Sequence, residues 1–363
     1  MSITTFGFIG LGLIGGSIAK AIKERIADSV IIAYDINQDT LCAAQKEKIA
    51  DIITDSINES FRVCDYIFLC APVQKNDENL LAVKKILSPT CLLTDVGSVK
   101  NDIHRTIEEA GLNHQFIGGH PMAGSERVGF ANSKAILLEN AYYILTPTSE
   151  VSQKQISAYK VLVQNLGSLP LVLTPEQHDH VTAAISHLPH VIAASLVNLV
   201  KDSDSKDGIM KMIAAGGFKD ITRIASSSAG MWQQICLTNS DNITALLSDY
   251  IASLTNIKEA LENRREETLY HFFDTARLYR DSFNNASSGP IKRSYSIRID
   301  IADEPGTLST VVAILAENEI SIKNIGISHN REFEGGILSI EFHEEASSKK
   351  AAQILQNRNY IVT

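Results

Sequence analysis

A glycine-rich turn near the amino terminus constrains the fold of this chain more than any other feature of its sequence. Residues 10–15 read Gly10-Leu11-Gly12-Leu13-Ile14-Gly15 and match the pattern GxGxxG. An apolar stretch precedes the turn, a helical pattern follows it, and Asp35 ends the next apolar stretch. In this context the pattern predicts a strand, a tight turn and a helix whose N-terminus binds the pyrophosphate of a dinucleotide. The alternative is a glycine-rich turn without a ligand.

The residues of this turn have separate predicted roles. Gly10 permits the tight turn, Gly12 lets the backbone approach the pyrophosphate, and Gly15 allows the helix to pack closely on the strand. Asp35 would accept hydrogen bonds from the adenosine ribose, and its charge would repel a 2′-phosphate, so NAD is expected rather than NADP. Alternatively, Asp35 only caps the following turn together with Asn37.

Apolar stretches alternate with amphipathic ones over residues 1–174, and helices are predicted between them, for example at 15–25 and 38–48. Unbroken apolar strands separated by helices are typical of a parallel sheet that is covered on both faces. We therefore predict an α/β, Rossmann-type NAD-binding domain over 1–174. The stretches that read as buried strands are 4–9, 30–34, 66–70, 91–94 and 142–146.

From Pro175 onward the strand-like stretches disappear, and helical periodicity takes over at about 176–203 and 240–283. Residues 175–283 are predicted to form an all-helical dimerisation domain, whose apolar faces pack on the sheet domain and on a second subunit. A small polar linker follows at 284–290. Residues 291–363 then show the order of a ferredoxin-like βαββαβ unit. Its predicted elements are 294–301, 307–318, 321–328, 336–343, 346–356 and 359–362.

Composition argues against several functional classes. The chain has 33 Lys and Arg against 42 Asp and Glu, a net charge of −9, which disfavours nucleic acid and anionic membranes as partners. No unbroken apolar run reaches about 18 residues, so no membrane span is expected, and the first ten residues lack the basic region of a signal peptide. Five widely spaced cysteines without a CxxC pattern favour free thiols in the cytoplasm over disulfides or zinc.

Beyond the glycine-rich turn, four further motifs and the C-terminal unit resemble a known family. The sequence resembles the prephenate dehydrogenase family of tyrosine biosynthesis, and the segment that begins IADEPGTLSTVVAILAENEISIKNI at residue 301 looks like an ACT regulatory domain. The motifs are GLGLIGGS, DVGSVK at 95–100, GGHPMAGSE at 118–126, SHLPH at 186–190, and GGFKDITRIA at 216–225 with Met231-Trp232 after it.

The resemblance implies the oxidative decarboxylation of prephenate to 4-hydroxyphenylpyruvate and CO2, with a hydride passing from C4 of the substrate to NAD. It places the catalytic histidine at His120, and an imidazole with a pKa of about 6.5 can accept the hydroxyl proton near pH 7. It also places a serine that contacts the same hydroxyl and the nicotinamide at Ser98. Alternatively, His120 is a loop histidine that binds only backbone, and Ser98 caps a helix that starts near Lys100.

The substrate-binding residues are also implied by the resemblance. It assigns substrate contact to His190 and carboxylate binding to Arg223, whose planar guanidinium can bind a carboxylate through two hydrogen bonds. Asp220 and Glu126 match an ion-pair gate of the family. The alternative is an ordinary surface ion pair between Asp220 and Arg223. Trp232, the only tryptophan, lines the site or belongs to the core.

Other histidines receive less specific interpretations. His187 and His190 are three residues apart, but no HExxH pattern or suitably spaced carboxylate accompanies them, so no metal is expected and His187 is assigned a structural place. His178 and His180 flank a predicted helix start and are interpreted as surface or capping residues.

For the C-terminal unit the resemblance implies ACT-type pairing in a homodimer, with L-tyrosine bound near the turn at 303–308 as a feedback inhibitor. Some ACT units serve only assembly. An arogenate or dual-specificity cyclohexadienyl dehydrogenase is the alternative enzyme. A non-catalytic sensor of NAD and tyrosine is a third reading, but it would not need His120, Ser98, His190 and Arg223 together.

Overall fold

The apolar stretches near the amino terminus form the centre of one eight-stranded sheet in the computed structural model of the chain. The structure describes residues 3–71, 73–124, 127–285, 295–302, 304, 306–329, 335–342, 344–358 and 360–362. The chain divides into two units, Met1–Asp274 and Thr275–Thr363.

The sheet is doubly wound. Its strands are β1 (Thr4–Ile9), β2 (Ser29–Tyr34), β3 (Ile52–Thr54), β4 (Tyr66–Leu69), β5 (Leu92–Asp95), β6 (Phe116–Pro121), β7 (Tyr142–Pro147) and β8 (Leu169–Val172). They lie in the order β3-β2-β1-β4-β5-β6-β7-β8. The first six follow the strand order of dinucleotide-binding folds, in which ligands bind where the order reverses, here between β1 and β4. The predicted Rossmann-type domain is confirmed.

The strands β3, β6 and β8 are not among the stretches predicted as strands, and one pair of neighbouring strands is not parallel. β6 and β7 are antiparallel, whereas the other neighbouring strands are parallel. Gly118–Pro121 of the glycine-dense motif belong to β6, because the buried neighbours of this strand supply the packing that glycine does not. β3 and β8 are short and partly exposed, and β8 contains a proline, which is typical of a strand at a sheet edge.

Helices cover both faces of the sheet, and two apolar clusters fill the space between them. Phe8 and Ile9 are neighbours in β1 and belong to different clusters, as expected for a strand buried on both faces. The covering helices are α1 (Leu13–Arg25), α2 (Gln38–Lys46), α3 (Val73–Lys84), α4 (Asn101–Glu109) and α5 (Gln153–Asn165).

From Pro175 the chain is helical, as predicted. α6 (Pro175–Thr182) begins with a capping box between Thr174 and Gln177, and it continues through a π-helical segment (Ala183–His187) into α7 (Leu188–Ser203). The predicted stretch 240–283 is divided in two near Arg264, which has a positive φ of 50°. The remaining helices are α8 (Ile209–Ile213), α9 (Gly216–Thr222), α10 (Ala229–Thr238), α11 (Ser240–Glu262) and α12 (Glu266–Asn285).

The continuous helix Pro175–Ser203 is long and apolar enough to cross a membrane by length and composition. This differs from the expectation that the chain has no such segment, because the polar residues within the helix are too few to lower its mean hydropathy. Length and composition alone are weak evidence for a span, since helices of soluble proteins pass the same test.

The second unit has a small antiparallel sheet. β9 (Tyr295–Ala302), α13 (Thr307–Glu317), β10 (Ile322–His329), β11 (Gly335–Phe342) and α14 (Glu345–Gln356) follow in the predicted order, and the strand order is β10-β11-β9. The predicted last strand, 359–362, is reduced to a single bridge between Ile299 and Val362. The first two residues of the predicted linker end α12, and 286–290 lie outside the described residues, as do Asp303 and Pro305.

Two histidines connect elements of the first unit as neutral side chains. His104 Nε2 lies 2.9 Å from the Thr146 hydroxyl oxygen, and His187 Nδ1 lies 3.1 Å from the Asn239 side-chain nitrogen. Burial is the main cause that lowers the pKa of each ring, from 6.5 to about 4. Both rings are therefore neutral at pH 7 in the folded chain.

We expect acid to destabilise the first unit between pH 6.5 and about 4. Unfolded histidines titrate near pH 6.5, so in this window the unfolded chain binds more protons than the folded chain. The free energy of unfolding therefore decreases as the pH decreases. One pKa unit corresponds to about 1.4 kcal/mol. Urea denaturation at pH 7 and pH 5, followed by the fluorescence of Trp232, measures this loss. The loss should shrink in His104→Gln and persist in the exposed control His180→Gln. An unchanged loss in His104→Gln would contradict the assignment.

Candidate active site

The glycine-rich turn joins β1 to α1 with no room for side chains at two positions. Gly10 has a φ of +98°, and a Cβ on it would lie 2.9 Å from the backbone nitrogen of Ala71. A Cβ on Gly15 would lie 2.7 Å from the carbonyl oxygen of Gly10. The turn, the start of α1 and the end of β4 are therefore packed against one another, as the predicted roles of these glycines require.

Gly12 differs from its neighbours because it lies against open space. No atom of the described residues comes within 4 Å of a Cβ built on Gly12. α1 begins at Leu13 with neither an acidic residue in its first turn nor a side-chain cap. The first backbone N–H groups of α1, including those of Leu13 and Ile14, are thus available to an anion. The helix dipole favours negative charge at this end of the helix. These features fit the pyrophosphate of a dinucleotide.

Asp35 follows β2 and contacts the same turn. Its Oδ2 accepts a hydrogen bond from the backbone N–H of Leu11 at 2.7 Å, and its Oδ1 accepts one from Asn37 at 2.8 Å. The contact with Asn37 is the capping role that the sequence left open. Each carboxylate oxygen can accept a second hydrogen bond, so capping does not prevent Asp35 from binding a ribose hydroxyl.

A buried ion pair joins the ends of β5 and β6. Lys100 Nζ donates to Asp95 Oδ2 and, at 2.8 Å, to the carbonyl oxygen of Gly119. Asp95 Oδ1 accepts from the backbone N–H of Gly119 at 3.1 Å. Burial lowers the pKa of Lys100, while Asp95 opposes this shift. The pair holds the turn that contains Ser98 against the strand that carries His120.

His120 lies near the end of β6 and is half-buried. Its Nδ1 is 2.7 Å from Nε2 of His178, and Nδ1 of His178 is 2.7 Å from Oδ1 of Asp179. Burial lowers the pKa of His120 well below its usual range, and His178, Lys100 and His187 add to this shift. The ring is therefore neutral near pH 7 and can accept a proton. Its partner is a side chain and not the backbone, unlike the alternative considered for a loop histidine.

The interpretation of His178 as a surface or capping residue is wrong. The side chain is fully buried and contacts the ring of His120, whereas His180 two residues later is exposed. The capping box at Thr174 marks the helix start in the sequence, but no local pattern reveals a contact between residues 58 positions apart.

Ser98 is half-buried in the turn after β5. It does not cap α4, because Asp179 caps this helix: the carboxylate accepts hydrogen bonds from the backbone N–H groups of Lys100, at 2.7 Å, and Asn101, at 2.8 Å. The Ser98 hydroxyl makes no hydrogen bond within the part of the chain that the structure describes, so it can bind a ligand.

His190 and Trp232 form one wall of a cavity of about 760 Å³. Their rings stack with centroids 3.6 Å apart and an angle of 24° between the planes. Burial lowers the pKa of His190, and a hydrogen bond with the backbone of Ile224 opposes this shift. Nε1 of Trp232 is buried without a hydrogen-bond partner among the described residues. Trp232 therefore lines a cavity, and its role in a substrate site stays a prediction.

Arg223 follows α9 and is exposed, and the next residue, Ile224, lines the same cavity. Asp220 is also exposed, and no ion pair joins it to Arg223 although the structure describes both residues, so the surface pair considered as an alternative is absent. Glu126 lies outside the described residues, so the gate that includes it stays a prediction.

The histidine chain and the cavity are connected through Asn239. Its side-chain nitrogen donates to the carbonyl oxygen of Asp179 at 2.8 Å and lies 3.1 Å from Nδ1 of His187. The His187 ring lies 5.9 Å from that of Trp232, measured between centroids. Continuous contacts therefore lead from His120 to the cavity. Among the described residues no group of three or more potential metal ligands occurs.

Comparisons with known families and proteins agree with this geometry. Residues 18–172 match the family model described as the nucleotide-binding domain of prephenate dehydrogenase, and residues 174–275 match its dimerization domain. The chain is 38% identical over 354 residues to the prephenate dehydrogenase of Bacillus subtilis (strain 168), covering 96% of this chain and 95% of the relative.

Two solved structures are also similar. Prephenate dehydrogenase from Aquifex aeolicus, in complex with hydroxyphenyl propionate and NAD+, is 32% identical with a TM-score of 0.74, covering 78% of this chain and 99% of that one. Synechocystis arogenate dehydrogenase is 28% identical with a TM-score of 0.69, covering 77% and 100%. The chain therefore belongs to the prephenate dehydrogenase family.

Proposed function

We propose that this chain is an NAD-dependent prephenate dehydrogenase, which converts prephenate to 4-hydroxyphenylpyruvate and CO2. The observation that carries the proposal is the neutral, partnered His120, placed beside the Ser98 turn on the sheet that also carries the dinucleotide turn. The similarity to the Bacillus subtilis enzyme along almost the whole chain supports it.

The proposed chemistry needs one proton acceptor at the 4-hydroxyl of prephenate. NAD, bound at the turn through Gly12 and Asp35, supplies the hydride acceptor. Nε2 of His120 accepts the hydroxyl proton as C4 loses its hydride, and Ser98 orients the hydroxyl. When the bond to the ring carboxylate breaks, its electron pair makes the ring aromatic and the oxygen takes the proton back from His120. The step therefore consumes no net proton.

The substrate carboxylates need positive charge and donors. Arg223 binds one carboxylate through two parallel hydrogen bonds, and His190 and Trp232 form the wall beside the ring. The unpartnered Nε1 of Trp232 supports this role, because a buried donor without a partner requires an explanation. The gate that the resemblance assigns to Asp220 and Glu126 stays a prediction, and because both side chains are carboxylates, a cationic residue must pair with them there.

Arogenate is a second candidate substrate, favoured by the similarity to the Synechocystis enzyme. It differs from prephenate only in carrying an amine where prephenate has a keto group. Formation of NADH with each substrate in turn separates the two candidates.

We further infer a homodimer with a regulatory C-terminal unit. Large apolar side chains of α11 and α12 are exposed, among them Leu254, Phe273 and Tyr279, and a second subunit would cover them. In the proposed arrangement residues 1–174 bind NAD, 175–283 bind substrate and dimerise, and 291–363 form an ACT domain that binds L-tyrosine. The order of strands and helices in the second unit supports the last assignment.

Cofactor choice should depend on Asp35. The parent chain should have a higher kcat/KM with NAD than with NADP, because the carboxylate repels a 2′-phosphate. Asp35→Ser should shift the ratio toward NADP, although it also removes two hydrogen bonds to the backbone. Asn37→Ser is the matched control, since it keeps a capping residue and the charge at Asp35. Equal or better efficiency of the parent with NADP would contradict the role of Asp35.

Catalysis should depend on His120. His120→Asn should lower kcat for prephenate by about 10²–10⁴-fold, the usual contribution of a general base, while NAD affinity stays close to that of the parent. Stopped-flow formation of NADH measures the rate, and fluorescence titration measures NAD binding. A folded variant that keeps kcat within about threefold would place the proton acceptor elsewhere.

Tyrosine inhibition should depend on the second unit. Deleting 291–363 should leave prephenate oxidation measurable and remove inhibition by L-tyrosine, because an effector acts only through its different affinity for two states of the protein. Circular dichroism and gel filtration must first establish that the shortened chain is folded. Undiminished inhibition of the folded, shortened chain would place tyrosine in the active site.

A further inference from the structure

The proposed chemistry uses His120 but leaves its two buried neighbours unexplained. His178 is fully buried, and Asp179 is 1% exposed. Together with His120 they form a row in which both hydrogen-bond distances are 2.7 Å. Burial of a carboxylate and an imidazole costs free energy unless each polar atom has a partner, so the row needs a function or a structural reason.

Proton positions along the row follow from the acceptor at its end. A carboxylate only accepts hydrogen bonds, so Nδ1 of His178 must carry a hydrogen. In a neutral His178, Nε2 then carries no hydrogen, so it can only accept a hydrogen bond. Nδ1 of His120 must therefore donate, and Nε2 of His120 keeps its lone pair. The buried carboxylate thus determines which nitrogen of His120 can take a proton.

We propose that His178 and Asp179 are positioning residues of the dehydrogenase, which hold His120 in the tautomer whose Nε2 accepts the substrate's hydroxyl proton. This inference rests on the proposed function. When His120 gains the proton, both of its nitrogens carry hydrogen, and the hydrogen bond through His178 brings the positive charge under the influence of Asp179.

Asp179 has a second task in the same site. Its oxygens also accept from the backbone N–H groups of Lys100 and Asn101, so it caps α4, and the turn before this helix contains Ser98. A carboxylate at a helix N-terminus is favoured by the helix dipole. Asp179 therefore positions both His120 and Ser98, the two residues that contact the substrate hydroxyl in the proposed chemistry.

The surrounding charges determine how the row responds to pH. The pKa of His120 is affected by His178, Lys100 and His187. The pKa of His178 is affected by Asp179, Lys100 and Asp95. Burial is the largest cause that lowers the pKa of each ring, and the two carboxylates raise that of His178. Loss of the charge at Asp179 should thus make a protonated row less stable and move the acid limb of the kcat/KM profile to lower pH.

Two substitutions at one position separate positioning from packing. His178→Leu removes the acceptor for His120 Nδ1, whereas His178→Gln retains an amide oxygen that can accept there. We expect kcat for prephenate to fall about 10²-fold or more in His178→Leu and to be largely rescued in His178→Gln, with KM values for NAD and prephenate within about threefold of the parent. In serine proteases a wrong histidine tautomer lowers kcat about 10⁴-fold. The exposed His180→Gln is the matched control and should behave like the parent.

Asp179→Asn tests the charge. Whichever way the amide faces, the negative charge is lost, so kcat should fall at least tenfold and the acid limb of the pH profile should move to lower pH. A purely structural role of Asp179 would lower the rate without moving this limb. Thermal unfolding of every variant establishes that it is folded before its kinetics are compared.

A direct measurement of the tautomer needs no activity. Two-bond ¹H–¹⁵N correlation spectra of the full chain labelled with ¹⁵N-histidine, with His120→Asn for assignment, show which ring nitrogen of His120 carries hydrogen. Hydrogen on Nδ1 supports the proposal, and hydrogen on Nε2 overturns it. A folded His178→Leu with kcat within threefold of the parent also overturns it. A parent chain that oxidises neither prephenate nor arogenate refutes the proposed function, whereas the spectra still decide the tautomer.

Discussion

The carboxylate of Asp179 is the interaction on which the arrangement of the candidate site depends. It accepts hydrogen bonds from His178, from Lys100 and from Asn101, and thereby joins α6 to the start of α4. An uncompensated charge at this depth would cost several kcal/mol. Three N–H donors and a helix dipole offset this cost, so the position of α6 against the sheet and the position of the turn that contains Ser98 are determined together.

The doubly wound sheet brings the other parts of the site to one edge. β1, β2, β5 and β6 are parallel to one another through their neighbours, so Gly10, Asp35, Ser98 and His120 all lie at or beyond the carboxyl ends of these strands. Glycine is required where backbone meets backbone, as at Gly10 and Gly15. The buried pair of Lys100 and Asp95 then fastens the last two of these strands to each other.

Features that depend on local sequence could be predicted, and those that depend on distant contacts could not. The strand, turn and helix around Gly12 form a contiguous pattern, and the helical periodicity after Pro175 is equally local. In β6, by contrast, Gly118 and Gly119 have no preference for a strand, and only neighbouring strands decide their conformation. The resemblance to a family predicted site roles for His120 and His190, but it predicted none for Asp179, whose partners lie 78 and 79 residues away in the chain.

The π-helical segment shows why helical periodicity alone misplaces residues along this helix. His178 and His190 are 12 residues apart, which in a regular α-helix of 3.6 residues per turn would turn them about 120° from each other. A π turn takes up one extra residue, which reduces the angle to about 20°. Ala183–His187 adopt this conformation, and His178 and His190 thus lie on about the same side of the helix. An insertion hidden in a uniform apolar pattern leaves no signal in the sequence, because alanine, isoleucine and serine suit an α-helix as well as a π turn. The wider turn also places His187 where it meets Asn239, so the segment that breaks the regular helix is the one that connects the row of His120, His178 and Asp179 to the cavity.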